Sequence, residues 1–352
     1  MNNDLFKNKK ILITGATGSI GSALLFELIK KNCKVIRAFS NDENGLFKVS
    51  ETIFNNNRRK PFNSSLSLKM KKNKIRVLCG DIRDYKRCLE ATKDIDIIIH
   101  AAALKHVQIC EYNPEEARKT NIDGTKNLCR AAIKNRVSKF LFISTDKAAD
   151  PKSVMGKTKK KAEQICLNFN KKNNLTKFSC IRFGNVLNSR GSILPLFRSQ
   201  TISQKYITVT NAKMTRFFMS IENSISLIIK SLILMRGNEI FILKSMKSFK
   251  ILDMANCVKE MFKSKNKIKI IGMRVGEKLN EVLFSKKEKR YLYDNKDMFI
   301  INKVLTDQKM KKFYNAKKFY NYDYFRSNNP DFIMSKEKLK KVLISVRKQK
   351  NK

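Results

Sequence analysis

With 352 residues, 42% of them hydrophobic, the chain can fill the core of one large domain or of a large domain with a smaller companion. The 75 Lys and Arg against 30 Asp and Glu give a formal charge of +45, but they run along the whole chain without a recognition motif, so specific nucleic-acid binding is not expected. No apolar run reaches the ~20 residues of a membrane span and the eight cysteines form no CxxC pair, so the sequence predicts no membrane span, no signal peptide, no metal site and reduced thiols of the cytoplasmic kind.

The stretch TGATGSIG at residues 14–21 follows the apolar run 11–13 and opens a helical segment at 23–31, so the chain begins as strand, glycine turn and helix. Gly15 permits the tight turn, Gly18 lets the backbone approach a pyrophosphate, and Gly21 lets helix and strand pack closely. Thr17, Ser19 and Ile20 complete a dinucleotide cradle whose phosphates sit at the helix N-terminus.

Strand signals recur at 34–39, 74–78, 96–99, 140–143 and 178–183, with helical stretches at 121–135 and 153–168. Strands alternating with helices predict an α/β fold, a Rossmann-type doubly wound parallel sheet, over about the first half. From residue 191 the alternation turns irregular, with short strand signals at 206–210 and 268–271. We therefore expect residues 1–185 to form the cofactor-binding domain with the catalytic block. Residues 186–345 are expected to form a smaller substrate-binding region interleaved with it, followed by the Lys-rich end 346–352. The segment 310–325 and the end 347–352 read as peripheral.

Dinucleotide folds that take NAD place an acid at the end of the second strand to hold the ribose 2′-hydroxyl. Residues 37–43 read RAFSNDE, with no acid ending the strand, while Arg37, Ser40, Asn41 and Lys48 can hold a 2′-phosphate. NADP is expected, with NAD as the alternative. In GDIRD at 80–84, Asp81 can accept from an adenine amino group and Ile82 can pack on the ring.

The block STDKA at 144–148 ends a predicted strand, on the edge where open parallel sheets bind ligands, and MGKTK at 155–159 lies on the next helix. Met155 and Lys159 are four residues apart and share one helix face. Alone they read as a core methionine and a surface lysine. The neighbouring Asp146–Lys147 pair turns the reading toward a site.

Together with HAAALKHV at 100–107, EYNP at 111–114, TNIDG at 120–124, RFGNV at 182–186 and MTRF at 214–217, these blocks resemble the UDP-N-acetylglucosamine 4,6-dehydratases of the extended short-chain dehydrogenase/reductase family. The resemblance covers about residues 8–340. GMRVGEK at 272–278 and the tail 326–339 resemble the C5-inverting members, which lack the transmembrane helices of the long ones. It implies a lyase acting on a UDP-N-acetylhexosamine with transiently reduced NADP, as a homo-oligomer, in the synthesis of bacterial surface polysaccharide or flagellin glycan.

By the same resemblance, Lys147 removes the C5 proton of the 4-keto sugar and a protonated Asp146 donates to the departing C6 hydroxyl. Lys159 bonds the nicotinamide ribose, and Ala101 and Lys105 line the cofactor. Lys105, Asn185, Arg216, Arg274 and Glu277 lie against the substrate, Arg274 being the natural diphosphate partner; outside such motifs, an arginine reads as surface charge. Met155 replaces the tyrosine that many relatives carry, and a thioether takes no proton from an alcohol, so C4 deprotonation falls to Thr145 or Asp146, directly or through water. Gln108, Ser153 and Asn211 depart from the proline, asparagine and aspartate common at those positions. Two other readings stay open: a UDP-sugar C4 epimerase, which needs no C5 base, and a non-catalytic NADP-binding regulatory protein. Met155 favours the latter; Thr145, Asp146, Lys147 and Lys159 together oppose it.

Overall fold

A run of strands buried on both faces explains the central layer. β1 (Lys10–Thr14), β2 (Val35–Ser40), β3 (Ile75–Cys79), β4 (Ile97–His100), β5 (Lys139–Thr145) and β6 (Lys177–Phe183) are rich in Ile, Val and Phe, and helices cover both sides, as a parallel sheet requires. They pair in the order β6-β5-β4-β1-β2-β3, all parallel, with Thr14 opposite His100 and Ser144 opposite Arg182. The structure is a computed structural model, and it describes residues 3–54, 74–173, 175–321 and 325–350.

The later strands are β7 (Asn185–Val186), β8 (Tyr206–Val209), β9 (Thr215–Met219), β10 (Glu239–Leu243), β11 (Lys247–Lys250), β12 (Lys267–Ile270), β13 (Leu292–Asp294), β14 (Met298–Asn302) and β15 (Lys317–Lys318). β10 pairs parallel with β6, and β14, β13 and β15 then extend the sheet antiparallel to ten strands. β11, β9 and β7 make a three-stranded sheet and β12 and β8 a pair. A second core of Leu187, Phe197, Phe249, Met254 and Val258 fills the region beside them, closed by Leu339 and Leu343 of the helix Lys336–Lys350.

The segment 310–325 is not peripheral. Met310, Tyr314, Ala316 and Phe325 are buried in the main core, where the Phe325 ring lies 4.5 Å from that of Phe299 and 5.2 Å from that of Phe332. Its lysines reach solvent while every third or fourth residue points inward, and composition alone hid that pattern. Residues 322–324 lie outside the described residues. The end expected to be peripheral continues the last helix to Lys350, and 351–352 lie outside the described residues.

Candidate active site

Every sheet strand from β1 to β6 delivers its candidate residues at its carboxyl end, so the glycine turn, Ser40, Asp81, Ala101, Thr145 and Asn185 line one edge. At the turn Gly15 takes φ +64°, and a Cβ there would stand 2.8 Å from the Ala102 backbone. A Cβ on Gly21 would fall 2.2 Å from the Gly15 carbonyl oxygen. The helix Ser19–Ile29 has Gly18 as its N-cap without a side-chain cap, and its first intrahelical bond runs from Ser22 N to Gly18 O. The N–H groups of Ser19, Ile20 and Gly21 therefore point outward at its positive end, and these residues fit a dinucleotide pyrophosphate.

Around the turn, Thr17 Oγ1 lies 3.0 Å from Ser40 Oγ, and Ser40 Oγ accepts from Asp42 N at 3.2 Å. Arg37 is turned away from this edge. Its guanidinium donates to the carbonyls of Glu90, Ala91 and Lys93, closing the C-terminal end of the helix Tyr85–Thr92, so the expected 2′-phosphate role at Arg37 is corrected. Alternation explains it: Arg37 lies three residues before the strand end, on the face opposite Ser40. Lys48 is exposed. Asp81 accepts from Arg83 through N, Nε and Nη2 at 2.8, 2.9 and 2.7 Å and from Asn41 Nδ2 at 3.3 Å. Ile82 is buried against Gly124, where a Cβ would meet its side chain at 2.7 Å.

The candidate catalytic block sits where β5 ends. Asp146 is fully buried; its Oδ1 accepts from Thr145 Oγ1 at 2.9 Å and from Lys147 Nζ at 3.0 Å, while its Oδ2 has no partner among the described residues. Lys147 Nζ also donates to Asn185 Oδ1 at 3.2 Å and lies 3.5 Å from Glu281 Oε1. Burial raises the Asp146 carboxyl above its usual range, the nearby Glu281 adding to the effect and Lys147 opposing it. For Lys147 burial acts downward, but Asp146 and Glu281 outweigh it and raise the ammonium above its ordinary value. The resting lysine is thus charged, and the neutral amine expected from the family reaction requires a proton to leave it.

Glu281 is the residue that sequence reading missed. Only 2% exposed, it pairs with Lys147, with Lys278 Nζ at 3.1 Å and with Arg216 Nε at 3.9 Å. Its one trace in the chain is a position four residues after Glu277 in GEKLNE, three residues past the block already singled out. Arg216 is itself buried and donates through Nη1 to the Thr215 and Leu279 carbonyls. Arg274 and Glu277 stand farther along the same loop, where Glu277 accepts from Arg274 N at 3.0 Å and Arg274 Nη1 donates to Gln108 Oε1 at 3.3 Å.

Groups facing Lys147 are Asp146, Glu281 and Arg216, with Asn185 neutral. Removing the Glu281 charge lowers the Lys147 pKa. Glu281→Gln is therefore expected to move the alkaline fall of kcat, where the Asp146–Lys147 pair loses the proton it shares, toward lower pH, read from a pH–rate profile. An unmoved profile counts against Glu281 as a positioning residue.

Met155 and Lys159 are both buried on the helix Val154–Asn168, which begins with Ser153 Oγ accepting from Gly156 N at 3.0 Å. Met155 packs with Cys110 and Ala117. Lys159 Nζ donates to Ile143 O at 2.6 Å and stands 4.1 Å from the Phe142 ring centroid. Burial lowers its pKa from 10.5 to about 8. The unfolded chain therefore binds the extra proton between about pH 8 and 10.5, so stability rises with pH through that window. Below it the buried charge costs about 3 kcal/mol, and Lys159→Met is expected to stabilise the fold by on the order of 2 kcal/mol at pH 7 and by little at pH 10.5. Urea unfolding at the two pH values checks this.

Lys105 is exposed, its Nζ donating to Arg190 O at 2.5 Å. Ser153 and Asn211, two of the departures, act as local caps, Asn211 Oδ1 accepting from Lys213 N at 2.8 Å. Among the described residues, no helix is long and apolar enough to cross a membrane.

Comparison with known proteins agrees with this architecture. A protein of Methanocaldococcus jannaschii described as an uncharacterized membrane protein is 43% identical over 90% of this chain and 95% of its own length. A UDP-N-acetylglucosamine 4,6-dehydratase (inverting) of Campylobacter jejuni is 37% identical over 95% of this chain and 97% of its own, and a UDP-glucose 4-epimerase of Rickettsia bellii is 40% identical over 81% and 80%. The X-ray structure of Pen from Bacillus thuringiensis superposes with a TM-score of 0.86 at 36% identity, over 97% of this chain and 99% of that one. DesIV, a dTDP-glucose 4,6-dehydratase from Streptomyces venezuelae solved with NAD bound, shares the fold alone, with a TM-score of 0.65 at 15% identity over 89% and 93%. The profile of the family described as polysaccharide biosynthesis protein matches residues 11–303, and the chain belongs to that family.

Proposed function

We propose that the chain is a UDP-N-acetylhexosamine 4,6-dehydratase of the C5-inverting kind, yielding a UDP-2-acetamido-2,6-dideoxy-hexos-4-ulose. The observation that carries this reading is the Asp146–Lys147 pair, a fully buried acid and a half-buried base sharing a 3.0 Å hydrogen bond at the ligand edge. NADP, when bound, supplies the hydride acceptor at sugar C4 and the donor at C6. With the sugar held as its 4-ketone, the C5 hydrogen is acidic, and a neutral Lys147 can take it as a proton. A proton passing from Lys147 to Asp146 along their hydrogen bond makes the amine and the carboxylic acid together, with no net charge created in the buried site.

Lys147 then gains the C5 proton, and Asp146 gives its own to the C6 hydroxyl, which leaves as water. The pair returns to its resting charges. Asp146 Oδ2, buried with no partner among the described residues, is the oxygen available to the leaving group. In the absence of a tyrosine, C4 deprotonation falls to Thr145, which donates to Oδ1, or to Asp146, directly or through water. Inversion then requires the second proton to reach C5 from the face away from Lys147.

In this proposal residues 1–185 carry cofactor and chemistry and residues 186–345 cover the sugar nucleotide, with Lys105, Asn185, Arg274 and Glu277 toward it and Arg216 bracing Glu281 behind it. The resemblance extends the proposal to NADP over NAD, to a homo-oligomer and to a cytoplasmic site of action. The 40% identity to an enzyme described as a UDP-glucose 4-epimerase supports a second reading, C4 epimerisation. NMR of the protein with UDP-N-acetylglucosamine separates the two. A C6 methyl signal establishes dehydration, and its ring couplings report C5. An inverted C4 with C6 intact means epimerisation, and unchanged substrate rejects both for this sugar.

A further inference from the structure

Arg190 lies between β7 and the helix Ile193–Ser203, in the half of the chain assigned to substrate, yet among the described residues its hydrogen bonds and its ion pair reach the cofactor edge. Its N–H donates to Ser19 Oγ at 2.9 Å, in the first turn behind the glycines. Its carbonyl accepts from Lys105 Nζ, after β4, at 2.5 Å. Its Nη1 stands 3.8 Å from Asp42 Oδ2, after β2. One residue thus bridges the three loops that surround the cradle.

The loop is held in place around it. Asn188 and Gly191 take φ +57° and +66°, and Gly191 lies so close to His106 that a Cβ would fall 2.2 Å from the imidazole Cε1. The guanidinium itself is uncommitted by comparison. It is 63% exposed, and its ion pair with Asp42 is long. A planar fork in that state can take two phosphate oxygens at once, and a phosphate is a stronger partner for it than a single exposed carboxylate. Arg37, the arginine that the sequence offered for this work, is bound to three carbonyls elsewhere.

We propose that Arg190 is a phosphate-binding residue of the dinucleotide site, reaching over the cradle from the substrate half of the chain, with Asp42 holding its guanidinium while no phosphate is there. This rests on the dinucleotide reading above. Phosphate at this point belongs either to the 2′ position, beside Ser40 and Asp42, or to the pyrophosphate, beside Ser19. Isothermal titration of the purified full-length chain and of Arg190→Ala and Arg190→Lys, with NADP and with NAD, tests it.

Arg190→Ala is expected to weaken NADP at least tenfold with its thermal unfolding unchanged, since the side chain is exposed. Arg190→Lys should recover part of the loss, because the charge returns without the fork. A loss on NADP alone assigns the guanidinium to the 2′-phosphate, and an equal loss on both dinucleotides assigns it to the pyrophosphate. Arg190→Ala binding both within twofold of the unaltered chain overturns the proposal. If the unaltered chain binds neither dinucleotide, the cofactor reading falls and this proposal with it.

Discussion

On the proposed 4,6-dehydration, Lys147→Ala is expected to lower the rate by roughly 10²–10⁴-fold while dinucleotide affinity stays within about threefold, the range set by loss of a positioned base. The binding cradle is built from Gly15, Gly18 and Gly21, none of which touches Lys147 among the described contacts. Asp146 and Glu281 complicate the alanine variant, because removing the ammonium leaves two buried carboxylates facing each other. Lys147→Gln restores a donor without a titrating amine and serves as the second variant. In deuterated buffer the unaltered enzyme should exchange the C5 hydrogen, and both variants should not. Dehydration within tenfold of normal in Lys147→Gln rejects the lysine as base.

Arg182→Ala is expected to cost about 3–5 kcal/mol of unfolding free energy, because it strands two buried carboxylates. The guanidinium is fully buried and donates to Glu163 through Nε and Nη2 at 2.9 and 2.8 Å, to Glu288 through Nη1 and Nη2 at 2.9 and 2.8 Å, and to the Leu283 carbonyl at 3.1 Å. Lys160 Nζ adds a 2.7 Å contact to Glu288. Burial pushes the Glu288 carboxyl up, but Arg182 and Lys160 outweigh it and hold it well below the ordinary range. A carboxyl depressed in this way contributes stability above the unfolded pKa of ~4.5 and loses it as pH falls. The gap between the unaltered chain and Arg182→Ala in urea should accordingly narrow below pH 4.5. A cost under ~1 kcal/mol at pH 7 would mean that the network contributes little.

The parallel half of the fold was legible because its signals are local. Strand expectations at 34–39, 74–78 and 96–99 fall within one residue of Val35–Ser40, Ile75–Cys79 and Ile97–His100, and the helix expected at 153–168 appears as Val154–Asn168 with Ser153 as its cap. The stretch 121–135 was read as one helix, but it begins inside a π-helical turn, Lys119–Gly124, before the α-helix Thr125–Lys134. There Asn121 is fixed by Leu104 and Thr158 rather than by propensity. The antiparallel extension β14-β13-β15 was not legible. Its strands are two to five residues long, and they are selected by partners far away in sequence.

The site divides along the same line. Asp146, Lys147 and Asn185 are brought together as the motifs indicated. Glu281 and Arg190 could not be found that way, because their meaning depends on loops that fold back over β5 and β1 from beyond residue 186. Arg37 was misjudged for the converse reason: a suitable residue type stood at a suitable place in the chain but on the wrong face of its strand.

The ten-stranded sheet makes the two halves poor candidates for separate life. A cut after Val186 would leave the Cys180–Ile181–Arg182 edge of β6 without β10, opening an unpaired strand edge for self-association, and would take Glu288 away from Arg182. Neither fragment would keep a balanced interior. Co-expressed, they should instead find each other as a split protein, with β6 against β10 as the seam.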